Sequence, residues 1–141
     1  MKISILLPYK ENFSSDYAGA VSLFLNDTTK LSKYKKFIKV YGNTNSKKYL
    51  DGFLKQETLT NSDLIEVHNR PIYVNKIFKI NKNIVLYFHN DPLSQKGAVS
   101  KKDRIKLLDN TKKIIFISKW VKDRFFFDLE DLKKIKKNYE I

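Results

Sequence analysis

Asn-Ile-Val-Leu-Tyr-Phe-His-Asn-Asp-Pro, residues 83–92, joins an unbroken apolar run, Ile84 to Phe88, to a histidine, an amide, a carboxylate and a proline. A run of this length suits a strand buried on both faces of a parallel sheet. The polar group arrives where such a strand ends. In open parallel α/β sheets, ligands bind just outside that end. His89, Asn90 and Asp91 are therefore candidate site residues.

The same pattern recurs on either side. Upstream, Asp63–His68 is a strand followed by Asn69, Arg70 and Pro71. Pro71 suits the first position of a helix running to Ile80, with Ile77 and Phe78 toward the core. Downstream, Ser100 and Asp103 form a capping box that opens a helix to Asn110. Lys113–Ile117 is the next strand, and Ser118 caps a helix carrying Trp120, Val121, Phe125 and Phe126. The chain opens with a strand over Lys2–Pro8 and a polar loop from Tyr9 to Asp16. A helix over Tyr17–Leu31 follows, capped by Asp16, Ser15 or Ser14, with Tyr17, Val21, Phe24, Leu25 and Leu31 on one face. Lys36–Tyr41 is the second strand, ended by Gly42 and Asn43. Residues 46–59 are ambiguous, with a short helix around Lys47–Leu54. Asp131–Lys137 reads as a helical turn or two, and Tyr139 to Ile141 as the start of a sixth strand. Strands alternating with helices imply crossover connections and a parallel sheet. The expected fold is α/β, a Rossmann-like three-layer α/β/α sandwich with a mainly parallel sheet, in one domain over 1–141.

Bulk composition narrows the class. The chain has 141 residues, 42% of them hydrophobic, with Gly 4 and Pro 3, which suits one packed domain rather than linker or disorder. Absence of cysteine excludes a disulfide framework and a thiolate metal site. The opening apolar segment is too short for a signal peptide, and no run approaches the roughly 18 apolar residues of a membrane span. A cytoplasmic protein is expected, with peripheral contact at the inner face of the membrane as its widest excursion. The net charge of +13 attracts polyanions such as nucleic acid, anionic lipid or phosphorylated substrates. Its carriers are mostly lysines spread along the chain, and compositional bias accounts for them equally well.

All carboxyl ends of a parallel sheet lie on one edge. That edge would receive the first polar loop, Gly42-Asn43, His68-Asn69-Arg70, His89-Asn90-Asp91 and Ser118. Both histidines of the chain directly follow strands. Each alone is more often a satisfied loop histidine. Gly19 sits inside the first turn of the first helix, where backbone N–H groups and the helix dipole favour an anion; plain helix–strand packing space is the bland account. A metal site from His68, His89 and Asp91 lacks supporting spacing. A nucleophile elbow, Gly-x-Ser-x-Gly, is absent. So is the dinucleotide fingerprint Gly-x-Gly-x-x-Gly. No nucleic-acid recognition motif appears, only charge. Sugar or phosphate binding needs hydrogen-bonding side chains and helix starts on one rim, and this edge supplies both.

Four blocks then carry a resemblance: Gly19-Ala20-Val21-Ser22, Val67-His68-Asn69-Arg70-Pro71, Leu86-Tyr87-Phe88-His89-Asn90-Asp91-Pro92 and Ile115-Phe116-Ile117-Ser118-Lys119-Trp120-Val121. In this order they resemble the N-terminal domain of family 4 glycosyltransferases of the GT-B fold, which build lipopolysaccharide, capsule and other glycans. The resemblance spans nearly the whole chain. It implies one half of a GT-B fold and metal-independent, retaining hexosyl transfer from a nucleotide-sugar co-substrate to a glycan or lipid-linked acceptor, with no further cofactor. It implies Gly19 and Ala20 beside the donor diphosphate and His89 as the catalytic residue beside the transferred sugar. Asn90, Asp91, His68, Asn69, Arg70 and Ser118 would shape the acceptor side. The chain departs from many relatives in having one glycine in its first loop, not a pair. The donor-binding C-terminal domain, with its basic and acidic residues, is absent from these 141 residues. The expectation is an N-terminal half, either a fragment of a longer enzyme or the partner of a separate second half, inactive in transfer without a C-terminal domain. The alternative is a non-catalytic basic module binding anionic membrane or nucleic acid, with nucleic acid disfavoured.

Overall fold

The computed structural model describes residues 1–8, 10–14, 19–42 and 54–141. Tyr9, Ser15, Asp16, Tyr17, Asn43 and nearly all of the helix expected over 47–54 lie outside the described residues. The elements are β1 (Ile3–Leu6), α1 (Ala20–Leu31), β2 (Ile38–Tyr41), α2 (Gln56–Thr60), β3 (Leu64–His68), α3 (Val74–Phe78), β4 (Ile84–Phe88), α4 (Lys101–Asn110), β5 (Lys113–Phe116), α5 (Lys119–Phe125), α6 (Glu130–Ile135) and β6 (Tyr139–Glu140). The six strands form one sheet in the order β2-β1-β3-β4-β5-β6, every neighbouring pair parallel. The fold is thus the expected Rossmann-like α/β/α sandwich, with the parallel sixth strand present. The chain runs from β1 outward to β2, then crosses back to β3 and continues the other way. That reversal puts a switch point between β1 and β3, where the connections on the two sides diverge and leave a crevice.

Two apolar clusters lie on opposite faces of the sheet. On one face Ile3, Ile5 and Leu7 pack against Val21 and Leu25 of α1. On the other, Leu6, Ile65, Val67, Ile84, Leu86, Phe88, Ile114 and Phe116 meet residues of the remaining helices, among them Leu59, Ile77, Leu107 and Phe125. Strand residues alternate between faces because the side-chain period of a strand is two. This corrects the expectation for Ile84–Phe88. Ile84, Leu86 and Phe88 are fully buried, whereas Val85 and Tyr87 are half-buried. Among the described residues only α1 packs on their face, and it sits over the β1 side of the sheet.

The first helix starts at Ala20. Gly19 is its N-cap in an extended conformation, without a side-chain cap, rather than a residue of the first turn. Ser14 does not cap it; its N–H donates to the Asn12 carbonyl. The loop is tied to the helix instead by buried Ser22, whose hydroxyl donates to the Asn12 carbonyl. Val21 and Leu25 form the buried face, while Leu31 is 88% exposed and Phe24 is 41% exposed. The helix expected over Pro71–Ile80 is a 3-10 turn, Pro71–Tyr73, running into α3. Lys35–Phe37 likewise form a 3-10 turn before β2. Ser100 accepts from the Asp103 N–H at 3.0 Å, and its hydroxyl donates to the Asp103 carboxylate at 2.7 Å. Ser118 caps α5 by accepting from the Val121 N–H at 3.2 Å. Trp120 on that helix is exposed, while Val121, Phe125 and Phe126 join the core. The buried Arg104 guanidinium donates to the Phe125 and Phe127 carbonyls at 2.8 Å each, satisfying acceptors that the end of α5 leaves open.

Candidate functional site

The carboxyl ends of β1, β3, β4 and β5 enclose a cleft of about 500 Å³. Pro8 and Glu11 enter it after β1, Asn69 and Arg70 after β3, and His89, Asn90 and Gln95 after β4. Ile117 enters after β5, and Ala20, Val21 and Phe24 come from the first turns of α1. The cleft therefore opens at the switch point and extends across β4. Its wall mixes a carboxylate, amides, a guanidinium and an imidazole with apolar side chains. Such a lining offers hydrogen bonds to a polar ligand and an apolar surface to its ring.

Alternation along β3 and β4 builds the histidine cluster. Glu66 and His68 share one face of β3, and Tyr87 and His89 share the same face at β4, because His68 pairs with Tyr87 in register. His68 is fully buried, and its Nδ1 lies 2.9 Å from Nε2 of His89. Its Nε2 lies 3.5 Å from Oε2 of Glu66. The Tyr87 ring stacks on His68 at 4.3 Å, and Phe24 meets the His89 ring edge-on at 5.2 Å. Burial favours the uncharged imidazole, which pushes His68 down against the opposing pull of Glu66. Burial and then the neighbouring His68 lower His89 to about 4. Burial, followed by the Glu66 charge, raises the Tyr87 phenol. At neutral pH the cleft thus meets a neutral His89, able to accept a hydrogen bond.

Asn69 fixes where His89 sits. It adopts a left-handed backbone conformation, φ 50°, which asparagine tolerates better than most residues. Its N–H donates to the Tyr87 carbonyl at 3.0 Å, and its side-chain Oδ1 accepts from the His89 N–H at 2.8 Å. The ends of β3 and β4 are latched through one residue. Gly97, in the loop after β4, is held at φ 96°, and a Cβ there would lie 2.7 Å from the Ile72 backbone. The two loops that flank the cleft approach this closely only because position 97 has no side chain.

The start of α1 already faces a carboxylate. A Cβ on Gly19 would collide with Oε1 of Glu11, and the partly buried Glu11 keeps Oε2 out of solvent without a hydrogen-bond partner. A phosphate at Gly19 and Ala20 therefore requires Glu11 to move aside, since two anions cannot share that space.

Of the residues singled out from sequence, Ala20, Asn69, Arg70, His89 and Asn90 line the cleft. Gly19 lies just behind it against Glu11. His68 stands behind His89, in contact with its ring. Asp91 turns away: Arg124 donates to its carboxylate at 2.9 and 3.2 Å, holding it below the usual carboxylate range, and it accepts from the Leu93 N–H. Ser118 is spent on capping α5. Among the described residues no group of three or more His, Cys, Asp or Glu converges as metal ligands, and no helix is long and apolar enough to cross a membrane.

The sequence reading passed over Glu11, Phe24, Gln95 and Ile117, and behind the cleft Glu66 and Tyr87. Glu66 carried a signal, as an ionisable residue inside an otherwise apolar strand and two positions before a histidine. Gln95 carried none. Comparison with protein-family models, with curated proteins and with solved structures gives no match.

Proposed function

We propose that this chain is the acceptor-side domain of a GT-B glycosyltransferase of the family 4 type, contributing to hexosyl transfer from a nucleotide-sugar to a glycan or lipid-linked acceptor. The observation that carries the proposal is the convergence of the strand-end blocks on one cleft: Asn69 and Arg70, then His89 and Asn90, beside the start of α1. Arg70, Asn90 and Gln95 supply donors and acceptors for sugar hydroxyls, and Phe24 an aromatic surface. Neutral His89 accepts a hydrogen bond from a hydroxyl at the reacting sugar. Glu11 occupies the helix start until a diphosphate displaces it. The transfer is metal-independent and retaining on this reading. The donor is gripped mainly by a second domain, so the 141 residues alone bind acceptor without transferring sugar. The lysine-rich surface holds the domain on the cytoplasmic face of an anionic membrane where lipid-linked acceptors reside, each nearby lysine contributing about 1 kcal/mol.

The net charge of +13 favours one other reading, a non-catalytic module for anionic membrane or nucleic acid. The two part in a binding titration followed by NMR. Oligosaccharide acceptors and nucleotide-sugars should shift the resonances of Arg70, His89 and Asn90, and Arg70→Ala or His89→Ala should weaken that binding about tenfold or more. Binding confined to DNA or anionic vesicles, abolished by salt and indifferent to both substitutions, would establish the second reading instead. Robust sugar transfer by the isolated chain would overturn the assignment of the donor site to a second domain.

A further inference from the structure

The geometry points to Glu66 as a positioning residue that acts through His68 to fix the tautomer of His89. The inference deepens the proposed function, since it rests on His89 facing the ligand. Three groups stand in line: the Glu66 carboxylate, 3.5 Å from His68 Nε2, and His68 Nδ1, 2.9 Å from His89 Nε2. A neutral imidazole carries one N–H and one lone pair. The short contact between the rings needs one proton, and it comes from one ring or the other. Two arrangements follow.

In the first, His89 donates from Nε2 to Nδ1 of His68, and His68 donates from Nε2 to Glu66. In the second, His68 donates from Nδ1 to His89, which leaves its bare Nε2 facing a carboxylate oxygen. A carboxylate only accepts, so the second arrangement sets two acceptors against each other in a buried place. Glu66 selects the first, even at a contact as long as 3.5 Å. Tyr87, stacked on His68 at 4.3 Å, holds that ring in the plane the line requires. The outcome is that His89 keeps its proton on the inner nitrogen, Nε2. Its Nδ1 lone pair is the one left for the cleft. The site is built to receive a hydroxyl donor at His89 rather than a phosphate or carbonyl oxygen, which would need an N–H there.

The chain contains only two histidines, so their four ring nitrogens can be assigned by long-range proton–nitrogen NMR on the intact labelled protein near pH 7.5. The expected spectrum has both rings protonated at Nε2 and bare at Nδ1. His89 protonated at Nδ1 would overturn the inference without any variant being needed. In Glu66→Met, with the backbone amide spectrum preserved, the reversed arrangement should rise by roughly tenfold, the ratio that a charge-assisted hydrogen bond sustains. An unchanged His89 tautomer in that variant would show that Glu66 does not set it. The measurement uses no ligand. A failure to bind saccharide therefore leaves the relay standing, and a reversed tautomer leaves the acceptor-domain proposal standing with His89 as a hydrogen-bond donor to the sugar.

Discussion

The two faces of β3 and β4 are made by the same strands and do different work. On one face Ile65, Val67, Ile84, Leu86 and Phe88 are completely buried under helices. On the other, one residue along in each case, Glu66, His68, Val85 and Tyr87 lead to His89 and the cleft. The closed face carries the stability of this half of the sheet. The second face gives up apolar contact to hold His68 within hydrogen-bond reach of both Glu66 and His89. The position of a residue along the strand, odd or even, decides which task it has.

The largest expected effect breaks the closed face. Phe88→Ala removes a buried ring stacked with Phe116 at 5.9 Å and should cost about 3–5 kcal/mol in urea unfolding. Tyr87→Phe, its neighbour on the other face, should stay within about 1 kcal/mol. Equal losses at the two positions would remove the contrast between the faces. Next comes the latch between them and the cleft. Asn69→Ala strands the His89 N–H and places alanine at a positive φ, so about 1–3 kcal/mol is expected. Asn69→Gly relieves the backbone and should lose less, and equal losses would locate the whole effect in the hydrogen bond.

The polar face also predicts a pH dependence that the closed face lacks. His89 titrates at about 4 in the folded chain against 6.5 ordinarily. Between those values the unfolded chain holds a proton that the folded chain does not, so stability falls as pH drops from about 6.5 to about 4 and is flat above. The slope is at most about 1.4 kcal/mol per pH unit for each such histidine. His68, lowered by deeper burial, adds in the same direction. Denaturation midpoints taken across this range should show the fall, and His89→Gln should reduce it to the part that His68 carries. The smallest effect lies at the helix start. Glu11→Gln removes the charge that faces Gly19, leaves stability nearly unchanged, and should tighten binding of a nucleoside diphosphate about severalfold.

Much of the fold was legible because β-branched and aromatic runs recur between helical segments, and the ends of β2 to β5 are punctuated by Gly, His, Asn or Ser. The sixth strand was visible in Tyr139 and Glu140. The placement of the blocks on one rim followed from parallel topology alone. What the sequence hid was the difference between the faces. Ile84–Phe88 is apolar at every position, so its period of two leaves no trace in composition, and only the position of α1 over β1 decides which side is closed. Asp91 looked like a cleft residue because it follows His89 and Asn90, but its partner Arg124 lies 33 positions away in the chain. Glu11 and Gln95 reach the cleft through loop geometry, which local propensity does not encode.

The strand-end cleft around His89 is proposed to bind a saccharide. That binding is tested most directly by titrating the intact chain and its His89→Ala variant with an oligosaccharide acceptor in calorimetry, at a salt concentration that suppresses non-specific charge. The native chain should bind saturably, and the variant should lose at least about tenfold in affinity. Absence of saturable binding by the native chain, or equal binding by both, would contradict it.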